Sequence, residues 1–213
     1  MRRFRRTAAL IALTGVLALT ACGQPPWAVV VTPSPLDSPS AAPSTEPTEI
    51  VPSEAPQPVP NDLSSGATER QFDAGSITAS LTYWSTLLMD KWTHDALKPV
   101  TLSLKTSVTP SSKLKVYLQS ARMTAVPANA TQTFPALAPQ IDRATTEPGY
   151  LVSPPYSYSQ TFNVGTVPAE ATFVTLQFQY DFLIQTTPTS EEYQKQSGTD
   201  TLTVAIVPNP TAG

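Results

Sequence analysis

The chain of 213 residues contains one cysteine, one histidine and eight glycines. A single cysteine excludes an intramolecular disulfide framework and any cysteine-cluster metal site. A single histidine, His94, excludes a multi-histidine metal centre and a two-histidine catalytic device. Charge is scarce as well. Asp, Glu, Lys and Arg make up 14% of the residues, against about 25% in ordinary globular domains. The 13 basic residues are outnumbered by 16 acidic ones, so nucleic-acid binding has no electrostatic support. No Gly-x-Ser-x-Gly nucleophile elbow occurs.

What is abundant is proline, with 23 residues, 11 of them between Pro25 and Pro60. The stretch 23–67 carries five acidic residues (Asp37, Glu46, Glu49, Glu54 and Asp62), no Lys or Arg, and one aromatic residue, Trp27. Such a segment buries too little apolar surface to offset its ordering entropy, and its proline content favours extended polyproline II. It is expected to be a disordered Pro/Ser/Thr/Glu-rich tether. The short run Trp27-Ala28-Val29-Val30-Val31 is its one apolar exception.

The chain opens Met1-Arg2-Arg3-Phe4-Arg5-Arg6, and an uncharged, largely apolar run follows from Thr7 to Ala21. Basic residues followed by a short apolar run are the pattern of an export signal. The run is shorter than the ~20 apolar residues a membrane-spanning helix needs. It ends Leu19-Thr20-Ala21-Cys22. Here the sequence resembles the bacterial lipoprotein signal, whose lipobox places a leucine and two small residues before a cysteine. The resemblance implies a diacylglycerol on the Cys22 thiol, cleavage of residues 1–21, and attachment to the cell membrane on its extracytoplasmic face. It covers about a tenth of the chain and implies nothing about activity.

From Thr68 onward Lys and Arg appear, and nine basic residues face eleven acidic ones. Apolar residues now alternate with polar ones at Ile77–Tyr83, Val100–Lys105, Leu114–Gln119, Val174–Ile184 and Leu202–Ile206, with a more polar stripe at 156–162. A period of two places one face on a core and the other in water. The expected fold is all-β, an antiparallel β-sandwich over 68–208 followed by a tail, 209–213. Thr109-Pro110-Ser111-Ser112 has the composition of a hairpin turn joining the stripes on either side. The lead-in Val167-Pro168-Ala169-Glu170-Ala171-Thr172 before the longest stripe resembles the corner ahead of a late strand in immunoglobulin-like bacterial surface modules. A jelly roll is the alternative. Two stretches escape the pattern. Residues 84–97 fit a hairpin, a bulged strand or one helical turn, and 125–155, with six prolines, reads as one long loop.

Groups able to carry chemistry are few. His94 can be combined with Asp90 and Asp95, or with Met89 and Met123, but these are too few strong ligands for zinc or copper. Asp142, Glu147 and Asp181 can be assembled into a carboxylate pair, as almost any 16 acids permit. Asp181, on the polar face of the longest stripe, reads as solvated or salt-bridged. The expectation is no catalytic activity, no metal and no cofactor, with a hydrolase the least supported alternative. Binding is better supported. Tyr150, Tyr156 and Tyr158 surround Pro154-Pro155 and, with Trp84 or Trp92, can form an aromatic platform for sugar rings or a peptide. The alternative is that these rings simply cover the core or its edge. The chain is therefore expected to present a binding domain at the cell surface, with the membrane, a cell-wall polymer or an envelope protein as partners and no nucleic acid. Its alternative role is an accessory subunit of an envelope export, wall-assembly or transport machine.

Overall fold

Alternating strands with one apolar face must bury that face against a second layer, and the computed structural model of the chain shows how. It describes residues 58–110 and 113–209. The signal, the lipobox Leu19, Thr20, Ala21 and Cys22, and the tether through residue 57 lie outside the described residues. One sheet contains β1 (Ala67–Ala74), β2 (Ile77–Trp84), β3 (Lys98–Val108) and β7 (Tyr158–Val164), in the order β1-β2-β3-β7. The second contains β4 (Val116–Ala128), β5 (Gln140–Arg143), β8 (Phe173–Gln185) and β9 (Tyr193–Ala205), in the order β5-β4-β8-β9. A two-residue strand, β6 (Tyr150–Leu151), also pairs with β4. All of these pairings are antiparallel.

The result is an antiparallel β-sandwich of immunoglobulin-like strand order. β2, β3 and β7 occupy the places of strands A, B and E, and β4, β8 and β9 those of C, F and G. β1 extends the first sheet, and β5 and β6 lie beside β4, on the side away from β8. Among the described residues no helix is long and apolar enough to cross a membrane.

The core follows the alternation. β8 contributes Val174, Leu176, Phe178, Tyr180, Phe182 and Ile184, all buried. Each such side chain contributes about 1.5–3 kcal/mol on leaving water. β2 and β3 face them with Ile77, Leu81, Tyr83, Val100, Leu102 and Leu104. The buried hydroxyls of Tyr83 and Tyr180 meet at 2.9 Å, which satisfies two polar groups that would otherwise be costly to bury. Burial raises both phenol pKa values well above their ordinary range.

Several expectations are corrected. The connection at 109–115 is not a hairpin turn: β3 and β4 lie in different sheets, so it carries the chain from one layer to the other. The stretch 125–155 is not one long loop. β4 continues through Ala128, and β5 and β6 follow. Leu137 N–H donates to the Ala125 carbonyl (2.8 Å) and Phe134 N–H to that of Pro127 (2.9 Å), so the segment between runs back along β4. Residues 61–66, which composition assigns to the tether, are built onto the domain: Leu63 is buried, and Asp62 hydrogen-bonds to β9.

Residues 84–97 contain a single turn of 3-10 helix, Met89–Lys91. Ser85 Oγ organises this connection, accepting from Leu87 N–H (3.2 Å) and Trp92 Nε1–H (3.3 Å) and donating to the Pro99 carbonyl (2.6 Å). Lys98, fully buried, donates from Nζ to the carbonyls of Thr93 (3.0 Å) and Ala96 (2.6 Å). Burial lowers its pKa to about 8, and the attraction of Asp95 only partly opposes this. Between pH 8 and 10 the unfolded chain therefore holds a proton that the folded one releases. Stability should rise with pH across that window, by at most ~1.4 kcal/mol per pH unit for one proton. Above about pH 10 the trend should reverse, because Tyr83, Tyr158 and Tyr180 then ionise more readily in the unfolded chain. Urea titrations at pH 7.5, 8.5 and 9.5 should show the rise for the wild type and none for Lys98→Met, whose stability should dip slightly by pH 9.5 as the same tyrosines begin to ionise in the unfolded chain. Equal slopes in the two proteins would contradict the assignment.

Candidate functional site

A two-layer sandwich has two open sides, and here they are finished differently. On the side where β1 lies beside β9, Phe72 stacks on Tyr180 with ring centroids 5.6 Å apart. Gly198 of β9 is where this ring comes to rest, since a Cβ there would collide with Phe72. Arg70 pairs with Asp62 at 2.7 Å. Asp62 in turn donates its backbone N–H to the Thr203 carbonyl (2.8 Å) and accepts the Thr203 N–H on Oδ2 (2.7 Å). Aromatic packing and this pairing close the gap between the sheets on this side.

The opposite side, between β7 and the β5–β6 region, contains an open groove of about 460 Å³. Tyr150 of β6 and Tyr158 of β7 stack across it, with centroids 5.4 Å apart and planes inclined at 28°. The Tyr158 hydroxyl donates to Asp142 Oδ2 of β5 (2.7 Å), and the Tyr150 hydroxyl to the Arg143 carbonyl (3.2 Å). Burial, then the hydrogen bond to Asp142, raises the Tyr158 pKa well above its ordinary range. Tyr156 lines the same groove and is 56% exposed. It follows a turn in which its N–H bonds the Ser153 carbonyl (3.0 Å) and the Pro154–Pro155 peptide is cis. Gly149, at φ 144°, stands where a Cβ would lie 2.6 Å from the Leu118 carbonyl. The close approach this permits sets Tyr150 against β4.

Of the five aromatic residues singled out from the sequence, three meet here and two do not. Tyr150, Tyr156 and Tyr158 line one groove. The stripe read over 156–162 would place Tyr156 and Tyr158 on one strand face, but β7 begins at Tyr158 and Tyr156 belongs to the preceding turn. Tyr158 is buried, so it supplies the floor and leaves the exposed ring to Tyr156. Trp92 is excluded from any surface platform: it is completely buried, with its indole N–H on Ser85. Trp84 lies between Ala67 and Thr101 on the outer face of the first sheet, away from the groove. Asp142 also lines the groove, and Gln140 of the same strand bonds Asn163 beside it; the sequence marked Asp142 only as one of three scattered carboxylates and Gln140 not at all, because the four-residue strand QIDR is too short to show a period.

The other candidate groups do not converge. His94 Nε2 meets Asn209 Nδ2 (3.1 Å), and Asp95 accepts from Thr93 Oγ1 (2.7 Å). Asp90 pairs with Lys91 (3.3 Å), and Met123 is in the core. Among the described residues no group of three or more His, Cys, Asp or Glu side chains could hold a metal ion. Asp181 accepts from Ser197 (2.6 Å) and Ser120 (3.2 Å) and pairs with Lys195 (3.5 Å). Its partial burial works against ionisation, but these partners outweigh it and lower the pKa. No family model and no curated protein matches the chain.

The geometry separates a structural tyrosine from an available one. Tyr158→Phe should cost about 1–3 kcal/mol by leaving Asp142 without its donor. Tyr156→Ala should change stability by less than about 0.5 kcal/mol. Denaturant melts of the two variants check this, and a Tyr156→Ala loss as large as that of Tyr158→Phe would place Tyr156 in the fold.

Proposed function

We propose that the chain is a membrane-anchored extracytoplasmic lipoprotein that presents its β-sandwich as a binding domain at the cell surface, with the tyrosine groove as its ligand site. The observation that carries the binding role is the groove itself: aromatic rings and one carboxylate gathered on the side of the sandwich that packing does not close. Such aromatic surfaces give large contact area at small entropic cost. The anchoring rests on Leu19-Thr20-Ala21-Cys22 after a basic and then apolar start. Two acyl chains on Cys22 give stable attachment, where a single chain is only marginal. Residues between Cys22 and the domain then hold the groove away from the membrane, within reach of wall polymer or of other envelope proteins. The second reading, an accessory subunit docking on an envelope machine, is favoured by the free edge of β7 beside the groove.

Fractionation of cells expressing the full chain tests the anchor. Wild type should sediment with membranes and release the protein only with detergent, and Cys22→Ala should be soluble or retain residues 1–21. A variant that is cleaved and still membrane-bound would overturn the lipid attachment.

A further inference from the structure

We propose that the groove takes an extended segment of another polypeptide, which adds to the free edge of β7 as an extra strand. This rests on the reading of the groove as the ligand site and names the chemistry of the ligand.

β7 is the last strand of its sheet, hydrogen-bonded to β3 on one side only. The phase of its backbone is set by Asn163. Its N–H donates to Gln140 Oε1 (3.0 Å) and its carbonyl accepts from Gln140 Nε2, so both groups point away from β3. The residue opposite it on β3 is Pro99, which has no N–H to offer. In an antiparallel ladder every second residue points the same way. Thr161 and Ser159 therefore also turn their backbone groups outward. The Thr161 carbonyl accepts from Gln160 Nε2 (3.3 Å). Among the described residues, the Thr161 N–H and the N–H and carbonyl of Ser159 have no partner. Ser159 and Gln160 border the groove, facing Tyr150, Tyr156 and Asp142.

Gln140 shows what this edge accepts. A side-chain carboxamide is a peptide group, and with Asn163 it forms the paired N–H and carbonyl bonds that a residue of a neighbouring strand would form. One rung of the edge is thus occupied by a peptide mimic, and on the next two every backbone group is unpaired except the Thr161 carbonyl, which accepts from the Gln160 side chain. An extended chain repeats its donors and acceptors every two residues, about 6.6–6.8 Å, and so matches Ser159 and Thr161 in turn. A sugar ring has no such repeat. In strand addition the main chain supplies affinity, and pockets for alternate side chains supply selectivity. Here Tyr156 and Tyr150 suit an apolar or aromatic side chain. Asp142, the one charged residue lining the groove, suits a basic one. The open edge is short, and both Ser159 and Thr161 on it are exposed.

The test uses the full processed chain in detergent and two probes: linear 12-residue peptides selected from a random phage-displayed library, resynthesised, and purified peptidoglycan sacculi. The expected result is a selected peptide that protects the Ser159 and Thr161 amides from exchange. Its affinity should fall at least tenfold in Ser159→Pro and in Tyr156→Ala. Ser159→Pro removes an N–H the sheet does not use and also the hydroxyl that donates to the Leu102 carbonyl (3.0 Å), so Ser159→Ala, which loses only the hydroxyl, is its control and should keep wild-type affinity. N-methylation of alternate peptide amides, which needs no protein variant, should abolish binding. Peptide binding indifferent to N-methylation would overturn strand addition. Binding of sacculi alone, lost in Tyr156→Ala, would overturn strand addition and keep the groove as the ligand site. Binding of neither probe in a Tyr156-dependent way would overturn both.

Discussion

Three aromatic rings in succession on the inward face of β8, Phe178, Tyr180 and Phe182, hold the two sheets at their separation. Neighbouring rings stand 6.3 Å apart along the strand. The opposite sheet meets them ring for ring: Tyr83 lies 5.0 Å from Phe178, Phe162 6.1 Å from Phe178, and Phe72 5.6 Å from Tyr180. Rings of this size cannot be replaced by chain collapse, so the gap they span must be filled or left open along the length of each side. The position of every other element relative to the groove follows from how that was done.

On the β1–β9 side the gap is filled. Phe72 rests on Gly198, and Asp62 pairs with Thr203 as an added strand residue would. On the β7–β5 side the same device is used once, by Gln140 on Asn163, and then stops. Tyr158 and Asp142 tie the two layers together at the floor, and the rungs beyond are left to the groove. An exposed edge of this kind is an aggregation hazard that proteins ordinarily cover or charge. Side chains fill the gap between the sheets on one side and leave a groove on the other; β1 and β9 are end strands as well, with Thr203 of β9 capped by Asp62. The proposed binding role is therefore placed on the groove and the β7 edge beside it, rather than on any reactive side chain.

Much of this was legible in the sequence, for a physical reason. β2, β3 and β8 are buried on one face and wet on the other, so their alternation is clean. β4 is not clean. A bulge between Leu118 and Ser120 shifts its phase, so the inward residues change from Val116 and Leu118 to Ala121, Met123 and Ala125. A period-two reading ends there, and what followed looked like loop. β1 was missed because its inward residues Thr68, Arg70 and Phe72 are only half-buried and include a charge. The turn chemistry of Thr109 and Pro110 serves a hairpin or a crossover equally well, and only pairing with distant strands decides between them. The tyrosines of the groove were visible as composition. Their grouping without Trp84 and Trp92 depended on side-chain burial that no local pattern encodes.

Amide hydrogen exchange along β7 in the free protein tests the central claim that this edge is open on two rungs and capped on the next. The amides of Gln160 and Phe162, which point toward β3, should exchange slowly, with that of Asn163 partly protected by Gln140. Those of Ser159 and Thr161 should exchange near the rate of an unstructured chain. Protection at Ser159 and Thr161 equal to that at Gln160 and Phe162 would show the edge already paired, and would contradict the account.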